Sequence, residues 1–373
     1  MIAITNCSFY QGADLQHQAI LISDGIIRGF VNDQDVPREY KILDAENALV
    51  APAFIELQIY GSGGNLFSAF PTVDTLRQMD ADLLSKGHGG FLACLATNSP
   101  EVFNQAIDAA KAYRAESKVF LGLHIEGPYL NPKRLGAHVA AYVKKASLDE
   151  VKSLIERADG IVKMMTVAAE LQDDEVIQYL LDQGIVLSLG HSDANFAQAT
   201  AAYNKGISTT THLFNAMPSI HHRAPSLPSA VFNHSTAMAS IIADGMHVDF
   251  EVLRFAKKVM GERLFLITDA VTACATGAYQ HRLVDGKFVM PDGTLSGSAI
   301  TMLDAIRNCV QYCGITLPEA LRMASLYPAR VMGLDAVSGE IAVGKGADLI
   351  LLNNALELQS ILFRGVEHLI TNN

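Results

Sequence analysis

Strand-like and helix-like segments alternate along most of this chain, and the alternation repeats eight times. Most of the strand-like runs are rich in aliphatic and β-branched residues without strict alternation, which is typical of a strand that is covered on both faces. The segments between the runs are amphipathic, and several end in Gly, as helix C-termini often do. We therefore predict a (β/α)8 TIM-type barrel rather than a doubly wound sheet. The runs lie near residues 53–59, 91–96, 119–125, 162–168, 185–190, 207–211, 239–243 and 264–268.

The two ends of the chain differ from this pattern, because both read as short strands. The first end carries a hairpin signal at Asp24 and Gly25, between two apolar runs. We predict that residues 1–50 and 335–373 form one small β-sandwich domain, with the barrel, residues 51–334, inserted between its halves. One hairpin-like segment and two helices are expected after the eighth strand, at 281–298, 301–313 and 317–333.

Composition and charge narrow the classes of function. The 373 residues are 50% hydrophobic and 18% charged, which is enough to fill a barrel core and a smaller domain. A net charge of -11 repels phosphodiester backbones, so we expect no nucleic-acid partner. The N-terminus lacks a signal-peptide pattern, and no apolar run approaches roughly 18 residues. We expect a cytoplasmic protein with no membrane partner, and the five scattered cysteines predict no disulfide framework.

Five polar residues each follow a different strand-like run: Glu126, His191, His212, His247 and Asp269. Taken singly, each has an ordinary interpretation, such as a rim charge for Glu126, a loop or core position for either histidine, and a helix N-cap for Asp269. In a parallel barrel, however, all strands deliver their C-terminal residues to the same rim. One carboxylate and two histidines there suit a zinc site that keeps a position open for water, with an aspartate as the base.

Several stretches occur in the order found in one known family: HIEGPYLNPKRLGAH, LGHSDA, THLFNAM, IIADGMHVD, LITDA, TLSGSAITM and GEIAVGKGADLILL. Over nearly its whole length the chain resembles the N-acetylglucosamine-6-phosphate deacetylases of the amidohydrolase superfamily. The resemblance implies hydrolysis of the acetamide of N-acetyl-D-glucosamine 6-phosphate to D-glucosamine 6-phosphate and acetate, in amino-sugar catabolism. The galactosamine epimer as substrate stays open as an alternative. So do a non-catalytic sugar-phosphate or metal-binding module, and another amidohydrolase such as an imide or nucleobase hydrolase.

The same resemblance assigns metal binding to Glu126, His191 and His212, and the role of general base and acid to Asp269. Many relatives in the superfamily hold a second metal with His-x-His at the end of the first strand. This chain has Gln58-Ile59-Tyr60 there, and both Gln and neutral Tyr are poor ligands. We therefore expect one divalent transition-metal ion per subunit, with zinc as the expected metal.

For the substrate, the resemblance implies contacts from His138, which would polarise the acetamide carbonyl, and from His247 and Arg223, which would bind the 6-phosphate. Guanidinium and imidazolium groups suit phosphate oxygens. Arg223 would reach the active site of a neighbouring subunit, so a homodimer is expected with a small sugar phosphate as its ligand. The remaining contacts are expected from Ala137, Asn215, Ala216, Asp244, Gly245, Met246, Leu295, Ser296 and Gly297.

Two further histidines have weaker signals. His124 lies two residues before Glu126 and points to the same face of its strand. A fourth metal ligand is one interpretation, but we expect His124 to support Glu126 or a bound water. His281 is expected in a loop or at the surface.

Overall fold

The computed structural model describes residues 1–369 of the chain, so that residues 370–373 of the predicted small domain lie outside the described part. The chain begins with short strands and a single 3-10 turn at Asp33–Asp35, in agreement with the strand character of this end. The first strands are β1 Ile2–Thr5, β2 Ser8–Gln11, β3 Asp14–Gln16, β4 Ala19–Ser23, β5 Ile26–Val31, β6 Lys41–Asp44 and β7 Leu49–Pro52.

Eight parallel strands then form the barrel, as predicted, and a short hairpin (β9, β10) follows the first of them. In the barrel sheet β8 and β11 to β17 are neighbours in chain order. The strands are β8 Phe54–Ile59, β9 Gly61–Ser62, β10 Asn65–Leu66, β11 His88–Ala96, β12 Phe120–Glu126, β13 Val162–Val167, β14 Val186–Leu189, β15 Thr209–Thr210, β16 Met238–Ile242 and β17 Leu264–Ile267.

The barrel closes between its first and last strands. A parallel bridge joins Ile59 to Ala270, just beyond β17. The Asp269 N–H donates to the Gln58 carbonyl at 3.0 Å, and the Tyr60 N–H donates to the Ala270 carbonyl at 2.9 Å. Closure therefore brings the segment that holds Asp269 beside the segment that holds Gln58 and Tyr60.

A helix follows each barrel strand and packs outside it. Polar caps start several of these helices: Thr72, Ser99 and Ser147 each accept a hydrogen bond from the backbone N–H three residues later. The helices are α1 Val73–Ser85, α2 Pro100–Tyr113, α3 Leu148–Ala158, α4 Asp174–Asp182, α5 Phe196–Asn204, α6 Leu227–Asn233, α7 Phe250–Met260 and α8 Met302–Cys313. Among the described residues, no helix is long and apolar enough to cross a membrane.

The second helix predicted after the eighth strand, residues 317–333, is in fact two helices. The structure has α9 Leu317–Ala324 and α10 Leu326–Val331, with Ser325 between them outside helical geometry. Pro328 accounts for the break, because its ring has no N–H to donate and clashes with the carbonyl four residues earlier, that of Ala324. The hairpin predicted before these helices is present as β18 Arg282–Val284 and β19 Lys287–Val289.

Three last strands return to the sheets of the first chain end: β20 Leu349–Leu352, β21 Leu358–Phe363 and β22 Val366–Leu369. They join β7, β2 and β3 in a six-stranded sheet, which lies against the four-stranded sheet β5-β4-β1-β6. Successive side chains of β20 point to opposite faces of its sheet. Leu349 and Leu351 pack in the core shared by the two sheets, whereas Ile350 and Leu352 pack in the barrel core. We propose that these two sheets form a separate sandwich domain with the boundaries predicted from the sequence.

Candidate active site

The carboxyl ends of the barrel strands surround a cavity of about 250 Å³. Glu126 is the last residue of β12, and His191, His212 and Asp269 each lie two residues beyond the end of their strand. All four side chains line this cavity. The structure thus brings together the residues that the sequence placed on one rim.

Three of these side chains converge on one point. The Nε2 atoms of His191 and His212 lie 3.0 Å apart. Glu126 Oε1 lies 3.3 Å from His191 Nε2 and 3.1 Å from His212 Nε2, and one ligand atom from each residue falls within 4.8 Å of the others. A carboxylate and two imidazoles so placed can hold a metal ion and leave a position for water.

The second nitrogen of His191 supports the same role. His191 Nδ1 lies 2.8 Å from the carbonyl oxygen of Arg134. A carbonyl only accepts, so Nδ1 carries the proton and the lone pair of Nε2 faces Glu126 Oε1. Two such electron-pair donors repel each other unless a proton or a cation lies between them, so the donor set fits a metal ion.

The other oxygen of Glu126 is held by two neighbours. Tyr60 Oη donates to Glu126 Oε2, and His138 Nε2 lies 3.1 Å from that oxygen. The Thr97 backbone N–H donates to His138 Nδ1 at 3.3 Å, so the proton of His138 is on Nε2 and points at Glu126. Burial is the main cause that lowers the pKa of His138 to about 4. His138 is therefore a neutral hydrogen-bond donor at physiological pH.

One amide group connects the two carboxylates of the site. Gln58 Nε2 lies 2.8 Å from Asp269 Oδ1 and 3.0 Å from Glu126 Oε1. Burial, then the charges of Glu126 and Glu56, raises the pKa of Asp269 well above its usual range. For Glu126, burial is outweighed by the nearby imidazoles of His191 and His138, which hold its pKa well below the usual range. The two carboxylates thus differ strongly in proton affinity, as an acid-base group and a metal ligand should.

The backbone at the site has an unusual conformation. His191, His212 and Asp269 have φ angles of 45°, 31° and 54°, in the left-handed region that residues other than Gly rarely adopt. Such backbone costs free energy and concentrates at functional sites. Ala216, which also lines the cavity, shares this region with a φ of 49°.

His247 lies on the same cavity and is oriented by Asp244. The Asp244 carboxylate lies 2.6 Å from His247 Nδ1 and accepts from the His247 and Met246 backbone N–H groups at 2.8 Å each. Asp244 therefore fixes the His247 ring from outside the lining and leaves Nε2 for a ligand. Met246 is 55% exposed, and neither it nor Gly245 is part of the lining.

All but one of the remaining predicted contact residues line the cavity. They are Ala137, His138, Asn215, Ala216, Leu295, Ser296 and Gly297. Arg223 is the exception, because it is exposed and is not part of the lining. Its segment lies outside the cavity of its own chain.

Comparison with known proteins identifies the family. A model described as the amidohydrolase family matches residues 49–367. The chain belongs to the amidohydrolase family. Among its relatives, the N-acetylglucosamine-6-phosphate deacetylase of Haemophilus influenzae is 33% identical over 359 residues, which are 93% of this chain and 94% of that protein. The N-acetylgalactosamine-6-phosphate deacetylase of Escherichia coli O157:H7 is 30% identical, over 94% of each chain.

A solved structure agrees with this assignment. The crystal structure of N-acetylglucosamine-6-phosphate deacetylase from Pasteurella multocida matches this amidohydrolase with a TM-score of 0.92 at 34% identity and covers 99% of both chains. Both the sequence and the fold of that deacetylase are thus similar to this chain over nearly its full length.

The sequence did not single out every residue that this amidohydrolase brings to the cavity. Tyr279 and His281 line it. His281 lies in a loop, as expected, but it is buried rather than at the surface; it is 5% exposed and its Nδ1 lies 2.9 Å from Ser296 Oγ. Thr97, which fixes the tautomer of His138, follows β11 directly and carries the same strand-end signal as Glu126. No strand-end signal marks Tyr279 or His281, because both lie in the long segment between β17 and α8.

His124 was expected to support Glu126 or a bound water, but its contacts do not support that role. Its Nδ1 lies 2.9 Å from the Leu57 carbonyl oxygen, and its Nε2 lies 2.8 Å from Thr166 Oγ1. The ring therefore bonds inside the barrel, below the level of the Glu126 carboxylate. Burial lowers the pKa of His124 to about 4, so it is a neutral residue of the barrel core.

Proposed function

We propose that this amidohydrolase removes the acetyl group of N-acetyl-D-glucosamine 6-phosphate and releases D-glucosamine 6-phosphate and acetate. The observation that carries the proposal is the joint placement of Asp269 and the Glu126, His191 and His212 cluster on one cavity. The similarity to deacetylases over nearly the full length of the chain supports the choice of substrate. The reaction belongs to amino-sugar catabolism, because it prepares the free amino sugar phosphate.

We further propose that Glu126, His191 and His212 hold one divalent transition-metal ion per subunit, with zinc as the metal. Such an ion, when bound, lowers the pKa of a water molecule and polarises the substrate carbonyl. Gln58 and Tyr60, which stand where many relatives have a His-x-His pair, are neutral and are hydrogen bonded to each other and to Glu126. These groups are poor ligands, which supports one ion rather than two.

Asp269 is proposed as the group that moves the proton. One of its oxygens is held by Gln58, and the other is available to accept a proton from the attacking water. The water oxygen bonds to the acetamide carbon, and the carbon-nitrogen bond then breaks. Asp269 returns the proton to the leaving nitrogen, and the acetic acid then passes its own proton to the amine, so that the ammonium form of the amino sugar phosphate and acetate result. Its raised pKa makes Asp269 a stronger base than an ordinary aspartate.

His138 is proposed to stabilise the oxygen of the tetrahedral intermediate. Its Nε2–H now donates to Glu126 Oε2 and lies on the cavity wall, where a substrate carbonyl can receive the same proton as a hydrogen bond. Donors aimed at the developing oxyanion lower the barrier more than they strengthen ground-state binding. Thr97 keeps the required tautomer in place.

The sugar phosphate is proposed to bind along the rest of the lining. Several of these residues offer backbone groups: Ala137, Asn215, Ala216, Leu295, Ser296 and Gly297. His247 is placed to contact the 6-phosphate with Nε2, because Asp244 holds its other nitrogen and thereby orients the ring. Gly245 and Met246 would contribute indirectly, because they belong to the turn that positions His247.

We propose that the enzyme is a homodimer in which Arg223 completes the phosphate site of the partner. Arg223 is exposed and absent from the lining of its own cavity, which supports a role in another subunit. An apolar face of α7 would supply contact area, because Val252, Phe255 and Val259 are 40%, 51% and 42% exposed at helical spacing. The ring of Phe255 packs against Phe232 of α6, which extends this face.

The galactosamine epimer is the second candidate substrate. The Escherichia coli relative named as an N-acetylgalactosamine-6-phosphate deacetylase favours it, although the Haemophilus influenzae glucosamine enzyme is more similar at 33% identity. A non-catalytic binding module is disfavoured, because such a module has no need of the Asp269 base. We also propose a cytoplasmic location, since all five cysteines are free, as in a reducing compartment.

The experiment that tests this function is a substrate panel. Purified protein loaded with zinc is incubated with N-acetylglucosamine 6-phosphate, N-acetylgalactosamine 6-phosphate and unphosphorylated N-acetylglucosamine, and released acetate is measured. We expect the highest kcat/KM for the first and the lowest for the unphosphorylated sugar. A preference for the second would establish the epimer, and no acetate from any of them would contradict the proposal.

A further inference from the structure

Glu170 links two segments of the active site without touching the cavity. It lies in the 3-10 turn Ala169–Leu171 that follows β13. Glu170 Oε1 accepts from Asn131 Nδ2 at 2.9 Å and from the Asp193 backbone N–H at 2.8 Å, and its Oε2 accepts from Ser192 Oγ at 2.8 Å. The carboxylate therefore joins the segment after β12 to the segment after β14. Hydrogen bonds to a charged acceptor are stronger than neutral ones.

The same two segments meet around His191. The Asn131 N–H donates to the His191 carbonyl at 2.9 Å, and His191 Nδ1 donates to the Arg134 carbonyl at 2.8 Å. Arg134 in turn pairs with Asp193, with its Nε 2.8 Å from Asp193 Oδ1. The orientation of the His191 ring thus depends on the position of the segment after β12.

That segment also carries the substrate contacts. Residues 131–138, which we call the substrate loop, end in Ala137 and His138 on the cavity wall. The loop lies close against the metal ligand, because a Cβ at Gly136 would be 3.4 Å from His191 Cε1. Displacement of the loop would therefore change the position of both His138 and His191.

We propose that Glu170 is a positioning residue that couples ion binding to the order of the substrate loop. When His191 is held in the orientation of a metal ligand, the substrate loop is held in place as well. Conversely, an ordered substrate loop keeps His191 in that orientation. Coupling of this kind is reciprocal: if the bound ion tightens sugar-phosphate binding, the bound sugar phosphate tightens ion binding by the same factor. With unchanged association rates, a sugar phosphate that contacts the loop therefore slows ion release by that factor. The inference rests on the metal site proposed above.

Three proteins test the coupling against wild type. Glu170→Ala removes all three acceptor contacts, and Glu170→Gln keeps one oxygen that can still accept. Glu175→Gln is the matched control, because Glu175 is exposed in the first turn of the neighbouring helix α4. Each protein is loaded with zinc, and the rate of zinc release to a chelator is measured with and without the product D-glucosamine 6-phosphate. Hydrogen exchange of residues 131–138 is measured with and without zinc.

We expect zinc release to accelerate about 10-fold or more in Glu170→Ala, in the range found when groups that support metal ligands are removed. Glu170→Gln should be intermediate and Glu175→Gln unchanged. Zinc should slow hydrogen exchange of the substrate loop in wild type and lose that effect in Glu170→Ala. The slowing of zinc release by the product should be lost in parallel, while the thermal midpoint of the zinc-free proteins stays similar.

Several outcomes would overturn the inference. One is zinc release from Glu170→Ala at the wild-type rate; another is a zinc effect on loop exchange that survives the substitution. A large fall in the thermal midpoint, with faster exchange throughout the protein, would show a general structural role instead. If wild type binds no zinc, the proposed metal site fails together with this inference, whereas failure in the variants alone leaves the proposed function intact.

Discussion

Gln58 Nε2 lies 2.8 Å from Asp269 Oδ1, so an amide proton holds one oxygen of the proposed catalytic base. The two residues come from the first strand of the barrel and from the segment after its last strand, and barrel closure brings them together. The same amide nitrogen reaches Glu126 Oε1 at 3.0 Å. Gln58 thus positions the base relative to a proposed metal ligand.

Asp269→Asn tests the proton transfer. Asn keeps the shape and can accept from Gln58 with its oxygen, but its amide nitrogen cannot take a proton from water. We expect turnover to fall by roughly 100-fold or more, with zinc content unchanged in elemental analysis. Near-normal turnover would show that Asp269 is not the base.

Gln58→Leu tests the positioning of that base. Removing the amide frees the Asp269 side chain and leaves Glu126 with one donor fewer, so kcat should fall about 10-fold or more. KM should change less, because Gln58 is not part of the cavity lining. Gln178→Leu, on the exposed face of α4, is the control and should behave as wild type. A change in KM alone would assign Gln58 to substrate binding.

Arg223→Ala tests the proposed phosphate contact. Only the phosphorylated sugar should lose a charge-assisted contact. We expect kcat/KM to fall at least about 10-fold more for N-acetylglucosamine 6-phosphate than for N-acetylglucosamine. Equal losses on the two sugars would remove Arg223 from phosphate binding.

Mixed dimers test where that arginine acts. A heterodimer of an Arg223→Ala subunit and an Asp269→Asn subunit has one site with both groups intact if Arg223 reaches the partner. Activity should therefore rise on mixing above the sum of the two impaired proteins. No recovery in a verified heterodimer would place Arg223 in the site of its own subunit.

His88→Asn tests the acid sensitivity of the barrel. Burial lowers the pKa of His88 from 6.5 to about 4, despite the hydrogen bond of Nδ1 to the Leu83 carbonyl. Between these values the unfolded chain takes up a proton and the folded chain does not, so stability falls as the pH falls. An Asn amide can keep the bond to Leu83 without titrating. Urea unfolding of zinc-free protein should show wild type losing about 2 kcal/mol relative to the variant between pH 7 and 5. Identical pH dependence of the two proteins would contradict this account.

Much of the fold and the centre of the site followed from the sequence, because both depend on the ends of apolar strands. Even the two-residue strand Thr209–Thr210 lies inside the predicted run, and its end positions His212. Continuous apolar runs report strands reliably where both faces are buried. The single helix predicted at 317–333 was wrong, because Pro328 breaks the preceding turn although the apolar spacing continues through it.

The rest of the site depends on loops and, in the proposed homodimer, on a second subunit. Glu170 and His281 lie in connecting segments, where neither apolar periodicity nor strand ends indicate which groups meet. Their contacts, with Ser192 and Ser296 respectively, depend on how loops from different strands pack. The position of Arg223 relative to a partner is likewise a property of an assembly, which one chain does not contain.

The most direct test of the account is a metal titration of activity. Protein freed of metal by a chelator is titrated with zinc, and acetate release from N-acetylglucosamine 6-phosphate is followed at each step. Because Glu126, His191 and His212 form one donor set, activity should rise in proportion to zinc and level off at one equivalent per chain. A plateau only at two equivalents, or acetate release that does not depend on metal, would contradict the account.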